Sequence, residues 1–231
     1  MYVKQYRYSA DNLAYLIYGE KEAIAIDGGA VDQIQAFIKN NGLKLKFATN
    51  THSHADHTMG TFELVRKLDS QYQDHRFLMK KEKMFLEDEE IIVLHTPGHT
   101  LDSVTYHTGN CLITGDTLFN GTVGNCFSGK LDAFYDSIKQ LLSFSDNTIV
   151  YAGHDYVKAS IALARQFEPD NPNYETYLKK YDPNNVHSML SDEYKVNPYL
   201  RFNHPSIIDT LKRKGLPVET ELQRWQSVMT L

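Results

Sequence analysis

Three histidines and an aspartate are concentrated in the segment THSHADH, residues 51–57. His52 and His54 alternate with other residues, and Asp56 and His57 follow directly. Imidazole and carboxylate groups are ligands that zinc, iron and manganese take from proteins. A single residue of this kind usually lies on the surface or caps a helix, but packing requirements rarely bring four together. The segment therefore predicts a metal site.

Further metal-capable residues follow three later apolar runs that resemble β-strands: His99 in TPGHT, Asp116 in TGDTLF and His154 in AGHDY. Loops gather at strand ends, and sites are often built there on rigid supports. The combined set exceeds what one tetrahedral zinc ion needs and suits two metals that share a bridging carboxylate and a water. The candidate ligands are His52, His54, Asp56, His57, His99, Asp116 and His154.

The remaining histidines match no ligand position, and we expect each to lie on the surface or to have its hydrogen bonds satisfied. They are His75, His95, His107, His187 and His204.

The elements around these residues predict an α/β domain followed by a helical extension. Short apolar strands alternate with helix-like stretches up to about residue 157. Beyond that point no clear strand is expected, and prolines, six of the chain's seven, interrupt the helix-length stretches. The predicted domains are residues 1–158, which carry the site, and residues 159–231, which form a substrate-binding extension.

Composition limits the kind of partner. A net charge of −5 argues against nucleic acid, because phosphate binding needs a basic surface. No apolar run approaches the ~20 residues that span a bilayer, and no secretory signal pattern opens the chain, so a cytoplasmic location is expected. The two cysteines, Cys111 and Cys126, form no C-x-x-C pair, which excludes a zinc-finger type of site.

The order of the motifs resembles the metallo-β-lactamase superfamily, in which H-x-H-x-D-H is followed by a later His, Asp and His. THSHADH, TPGHT, GDTLF and GHDY stand in that order along this chain. The tail segment NPYLR, residues 197–201, is similar to one in the glyoxalase II (hydroxyacylglutathione hydrolase) family. This resemblance covers nearly the whole chain. It implies an α/β fold, the αββα sandwich of that superfamily, with a C-terminal helical extension.

The resemblance also implies two sets of ligands that share one bridging carboxylate: His52, His54 and His99 for the first metal, Asp56, His57 and His154 for the second, and Asp116 between them. Asp27, which ends the strand-like EAIAIDGG, would support the site without binding metal, as outer carboxylates do when they orient imidazoles. The expected cofactors are two divalent metal ions, with zinc the first choice and iron or manganese as alternatives.

Such a site suits thioester hydrolysis, because a thiolate leaves without a strong general acid. Two metals lower the pKa of a shared water and stabilise a developing oxyanion. The resemblance implies hydrolysis of a 2-hydroxyacyl thioester, such as S-D-lactoylglutathione, to D-lactate and free thiol by metal-bound hydroxide, a step of methylglyoxal detoxification. Asp56 and Asp116 are the predicted catalytic residues, and Asp56 would orient the water or accept its proton.

The predicted substrate-binding residues are Tyr156, Asn125, Phe127 and Arg224. Tyr156 matches the family's tyrosine after the last histidine. Asn125 and Phe127 stand where the family often has a lysine and a tyrosine. The family's two basic glutathione contacts fall near Trp225 and Val228, and Arg224 lies one residue away from Trp225. Fewer cationic groups weaken the binding of glutathione's carboxylates. The predicted partner is therefore a small-molecule thioester, bound by a monomer or small homo-oligomer, and its thiol stays open.

Three alternatives to this function are a thioester hydrolase for a different thiol carrier, a mononuclear iron persulfide dioxygenase, and a metal-free binding scaffold. The dioxygenase generally lacks the long helical tail. A scaffold typically loses ligands, whereas this chain retains all of them.

Overall fold

Two β-sheets pack face to face in the computed structural model, which describes residues 1–231. The first sheet contains, in spatial order, β1 (Tyr2–Arg7), β2 (Leu13–Tyr18), β3 (Glu22–Ile26) and β4 (Lys44–Thr49). The second contains β12 (Ser188–Met189), β11 (Ile149–Ala152), β8 (Cys111–Gly115), β7 (Val104–Thr108), β6 (Glu89–His95) and β5 (Lys83–Leu86). A separate hairpin pairs β9 (Leu118–Phe119) with β10 (Thr122–Val123). The β3–β4 and β8–β11 pairs are parallel, and the other neighbours are antiparallel.

Helices cover the outer faces of the sheets and form most of the C-terminal part. Those of the first part are α1 (Val31–Asn40), α2 (Ala55–Thr58), α3 (Thr61–Lys67), α4 (His75–Lys81) and α5 (Leu131–Leu141). Those of the C-terminal part are α6 (Val157–Phe167), α7 (Tyr174–Lys180), α8 (Leu190–Val196), α9 (Pro205–Arg213) and α10 (Glu221–Met229).

The layers follow from side chains that alternate across each strand. Along β2, Tyr15 and Ile17 enter the core between the two sheets, whereas Leu16 enters the core beneath α1. Along β8, Ile113 faces the inter-sheet core and Leu112 faces α5. Because both faces of these strands are covered, their sequences are almost continuously apolar. The predicted αββα sandwich is confirmed.

The helices pack through apolar faces at helical spacing. Ile34 and Ile38 of α1 are fully or nearly fully buried against the first sheet. On the far side, Phe134 of α5 packs edge to face against Trp225 of α10, with ring centroids 5.8 Å apart. Helix α10 begins with a capping box in which the Thr220 side chain accepts a hydrogen bond from the Gln223 backbone.

The extension is helical, as predicted, but the expectation that it contains no strand is wrong. Ser188 and Met189 form the edge strand β12, which pairs with β11. A two-residue strand is too short to produce an alternating pattern, so the sequence gives no sign of it. The buried Glu193 of α8 accepts a hydrogen bond from the Gly121 backbone at 2.8 Å, which joins the extension to the β9–β10 hairpin.

The ends of β4, β6, β8 and β11 lead directly into the four segments that carry the candidate ligands. The end of β3 likewise leads into Asp27. The fold thus brings polar loops together at one edge of the sandwich, on two rigid sheets. Every helix of the chain is too short or too polar to cross a membrane.

Candidate metal centre

The structure brings all the candidate ligands together at this edge, in two groups. In each group the potential donor atoms lie within 4.8 Å of one another. The first group is His52, His54, His99 and Asp116, and the second is Asp56, His57 and His154. Asp116 also reaches the second group, because its Oδ1 lies 3.3 Å from Nε2 of His57. The grouping is the one expected from the sequence.

The spacing of the donor atoms fits four ligands around a common ion. Ligands about 2.0–2.1 Å from a tetrahedral zinc ion lie about 3.3 Å from one another. In the first group, Nδ1 of His54 is 3.0 Å from Nε2 of both His52 and His99, and Nε2 of His99 is 3.4 Å from Oδ2 of Asp116. In the second group, the Nε2 atoms of His57 and His154 are 3.1 Å apart, and His154 Nε2 is 3.4 Å from Oδ2 of Asp56.

Oxygen atoms behind three of the imidazoles fix which ring nitrogen carries the proton. Nδ1 of His57 is 2.9 Å from Asp27, Nδ1 of His99 is 2.9 Å from the Asn125 backbone carbonyl, and Nδ1 of His154 is 3.2 Å from Asp11. Carboxylates and carbonyls only accept, so each Nδ1 donates. The Nε2 atoms are then free to present lone pairs to the centre of each group. Outer acceptors of this kind are characteristic of metal-binding histidines.

His52 is oriented by a relay. The Thr51 hydroxyl donates to Oδ2 of Asp27 at 2.8 Å, so it accepts from Nδ1 of His52, 3.0 Å away. Asp27 therefore supports one histidine from each group, His52 through Thr51 and His57 directly. This agrees with the supporting role that the sequence predicts for Asp27.

Two features show that a cation fits between these donors. Asp116 is buried, and its Oδ1 has no hydrogen-bond partner in the protein. A bound cation satisfies such an oxygen. Gly153 provides the space, since a Cβ at this position would lie 2.2 Å from Oδ1 of Asp116 and 2.8 Å from the His57 ring. The donors thus fit two divalent ions that share Asp116.

The electrostatics of the cluster also favour cations. Burial lowers the pKa of His52 to about 3, and the neighbouring His57 acts in the same direction. Burial alone would lower the pKa of His57, but the Asp27 and Asp116 carboxylates raise it well above its usual value. Burial alone would raise the pKa of Asp116, whereas the neighbouring His154 and His57 imidazoles hold it well below its usual range. A divalent cation that binds His57 therefore replaces a proton.

Three of the predicted substrate-binding residues lie beside the donors. The exposed Phe127 ring contacts the His54 and His99 rings, with centroids 5.7 and 5.2 Å away. Tyr156 stacks on His154 at 4.9 Å. Asn125 contributes its backbone carbonyl, while its side chain is exposed. Arg224 differs, because its guanidinium donates to Asn203 and to the Val218 carbonyl within the extension. Its role in substrate binding stays a prediction.

Sequence reasoning did not find two supporting residues, Asp11 and Asn12. Asp11 accepts from His154, and the Asn12 side chain donates to Oδ2 of Asp56 at 3.1 Å. They directly precede β2, whereas the candidate ligands all follow strands. Because β2 is antiparallel to β3, the start of β2 lies at the edge where β3 ends. A polar Asp-Asn pair before an apolar strand was the available signal.

The two sheets, the strand-end cluster and the shared aspartate define the metallo-β-lactamase class of proteins. The family model for the metallo-beta-lactamase superfamily matches residues 11–71 and 80–154, and the model for the hydroxyacylglutathione hydrolase C-terminus matches residues 155–229. The chain belongs to the metallo-β-lactamase superfamily and, within it, to the hydroxyacylglutathione hydrolase (glyoxalase II) family.

One relative agrees with the family assignment, and two solved structures agree with the fold. A hydroxyacylglutathione hydrolase of Vibrio cholerae serotype O1 is 30% identical over 94% of this chain and 95% of its own length. Among solved structures, ETHE1 from Myxococcus xanthus has a TM-score of 0.68 and 21% identity, and the match covers 100% of this chain and 90% of that one. A protein titled TTHA1623 in a di-iron-bound form has a TM-score of 0.58 and 25% identity, over 82% and 95% of the two chains.

Proposed function

We propose that this protein is a dinuclear-metal thioester hydrolase of the glyoxalase II type, which hydrolyses a 2-hydroxyacyl thioester such as S-D-lactoylglutathione to D-lactate and the free thiol. The observation that carries the proposal is the pair of complete donor groups that share Asp116, in a chain that matches both parts of the hydroxyacylglutathione hydrolase family. Two divalent ions bound there would supply an acidified water and polarise the thioester carbonyl.

The protein's own residues position the proton acceptor. Asp56 is the most exposed member of the cluster, so its carboxylate reaches the solvent-facing side where a substrate enters. The Asn12 amide holds its Oδ2, and the Tyr8 hydroxyl donates to its backbone carbonyl at 2.6 Å. Asp56 held in this way orients a water and accepts its proton. The thiolate leaves without protonation, which agrees with a site that has no separate general acid.

The aromatic side chains on either side of the cluster form the entrance for substrate. Phe127 lies against the first donor group and Tyr156 against the second. A thioester carbonyl placed between the two groups would pass between these rings. Phe127 and Tyr156 therefore contact the acyl group or the first atoms of the thiol.

The identity of the thiol carrier is the open part of the proposal, and a second candidate is a thioester of another thiol. Trp225 and Val228, which fall near the family's basic glutathione contacts, are fully buried in the core beneath α5. The carboxylates of glutathione therefore find no charge-assisted partner at these two positions. The mononuclear persulfide dioxygenase receives less support because the helical extension is present. The metal-free scaffold receives less support because both donor groups are complete.

The test is hydrolysis of a panel of lactoyl thioesters by metal-loaded protein, with metal counted per chain. We expect loss of thioester absorbance with two metals bound, and no activity after chelation. Absence of hydrolysis for every thiol, with two metals present, would contradict the proposal. Zinc, iron and manganese are compared in the same assay, since the donor set accepts each. A cytoplasmic location, a monomer or small homo-oligomer and a role in methylglyoxal detoxification stay predictions.

A further inference from the structure

A hydrogen-bonded cluster of side chains lies beside the first donor group, outside the set of residues that the fold family provides for metal binding. Its centre is the carboxylate of Asp102, three residues after His99. Oδ2 of Asp102 accepts from the Ser53 hydroxyl and from Nε2 of His75, the latter at 2.9 Å. Oδ1 accepts from the Thr100 hydroxyl at 2.7 Å. One carboxylate thus joins three segments of the chain.

Two of these segments carry the ligands of the first group. Ser53 lies between His52 and His54, and Thr100 follows His99. The backbone of Val104 donates to the Thr51 carbonyl at 2.9 Å. Ser53 is two residues after Thr51, and Asp102 is two residues before Val104. The Ser53–Asp102 bond thus lies two residues along each segment from this backbone hydrogen bond, and it is a second connection between the same two segments.

The third segment provides a fixed support. His75 begins α4 and is 1% exposed, which corrects the expectation that it is an ordinary surface or satisfied histidine. Its Nε2 contacts Asp102, while its Nδ1 has no hydrogen-bond partner in the protein and lies 3.8 Å from Asp74. Burying a histidine with one unsatisfied nitrogen costs folding free energy. The hydrogen bond to Asp102 is the one that the His75 side chain makes.

The charge of Asp102 is maintained by these partners. Burial alone would raise the pKa of its carboxyl, but the hydrogen bonds from Ser53, Thr100 and His75 outweigh burial and lower it. Asp102 is therefore a charged acceptor, and hydrogen bonds to a charged acceptor are shorter and stronger than neutral ones.

We propose that Asp102 is a positioning residue for the first metal, because its bonds to Ser53 and Thr100 set the distance between the His52–His54 segment and His99. The proposal rests on the two-metal site described above. Asp102 touches no ligand side chain, so the expected effect acts through the placement of the two ligand segments. We expect removal of its carboxylate to weaken the first site selectively, by about tenfold, at the low end of effects seen for outer residues of metal sites.

The experiment compares Asp102→Ala, Asp102→Asn and Ser53→Ala with the unaltered protein. An asparagine oriented with its oxygen towards Ser53 and His75 and its amide towards Thr100 retains all three bonds, so Asp102→Asn should restore most of the affinity. Ser53→Ala removes only the bond to the His52–His54 segment and should cause part of the loss. Asp32→Asn, on an exposed carboxylate that pairs with Lys67, is the matched control.

Zinc affinities are measured by competition with a chelator, and anomalous scattering from crystals assigns the loss to one site. The expected result is lower occupancy at His52, His54 and His99, with the other site retained. Equal affinity at both sites in Asp102→Ala, loss at the other site, or an Asp102→Asn as weak as Asp102→Ala would overturn the proposal. If Asp102→Ala fails to fold, Ser53→Ala and Asp102→Asn carry the test. Failure of the unaltered protein to bind zinc would instead contradict the proposed function.

Discussion

Replacing Asp27 by asparagine should weaken the binding of one metal and largely spare the other. The Asp27 carboxylate is fully buried, with Oδ1 accepting from the Thr51 backbone at 2.8 Å and Oδ2 accepting from Nδ1 of His57 at 2.9 Å. In Asp27→Asn the Thr51 N–H can only donate, so the amide oxygen must stay at Oδ1 and the NH₂ group must face His57. The imidazole then accepts at Nδ1 and carries its proton on Nε2, where it blocks metal binding.

The expected loss of metal affinity follows from the change in the tautomer of His57. Changes to outer partners of metal-binding histidines cost about 10- to 100-fold in affinity, or ~1.4–2.7 kcal/mol. The lost charge-assisted hydrogen bond should also lower the free energy of unfolding by about 1–3 kcal/mol. The backbone itself should tolerate the change, since Asp27 has a φ of 52° and asparagine adopts the left-handed region more readily than most residues.

The assay is competition with a chelator of known affinity, followed by metal analysis and a thermal melt of the metal-free protein. We expect weaker binding at the Asp56, His57 and His154 group. His52 should be affected less, because the Thr51 hydroxyl can reorient and still accept from its Nδ1. Asp32→Asn again provides a matched surface control. Two metals per chain with unchanged affinities would refute the tautomer argument.

Three further predictions concern the bridge, the entrance and the extension. Asp116→Ala should abolish thioester hydrolysis because it removes the shared ligand, and near-normal turnover would contradict the two-metal mechanism. Asn125→Lys should lower the KM for a glutathione thioester about three- to tenfold, the effect of one bond of ~1 kcal/mol, and an unchanged or higher KM would show that this loop does not face the thiol. Arg201→Ala should lower the free energy of unfolding by about 3 kcal/mol in urea titrations, because it leaves the Glu168 carboxylate buried without its bidentate partner. Lys139→Ala, at an exposed pair, should change it by less than about 1 kcal/mol.

The parts of the site that follow strands could be predicted from the sequence, because a run of apolar residues shows where a strand ends and a polar residue after it shows what the loop offers. His99, Asp116 and His154 were all found in this way. Asp11 and Asn12 were not found, since they precede a strand, and only the antiparallel β2–β3 pairing places them at the same edge. Strand pairing depends on residues far apart in the sequence, so the pattern of apolar and polar residues around Asp11 and Asn12 does not predict it.

Asp102 and His75 illustrate a second limit. A histidine in the sequence gives no indication of whether it is buried, and an aspartate after GHT could equally be a surface residue. Their relation to Ser53 depends on two loops that are 49 residues apart in sequence meeting in a specific register. Side-chain clusters of this kind are defined by tertiary structure, and sequence reasoning can list the participants only after that structure is known.

The outer acceptors behind His57, His154 and His99 differ in how they can be altered, and this determines which experiments are informative. Asp27 and Asp11 accept from His57 and His154 through side chains, so substitution removes the acceptor. The acceptor behind His99 is the backbone carbonyl of Asn125, which no side-chain substitution removes. A lysine at position 125 therefore adds charge to the entrance while the support of His99 stays intact. For this reason a change in KM in Asn125→Lys tests how the thiol is bound. A loss of metal affinity in Asp27→Asn tests how His57 is held as a ligand.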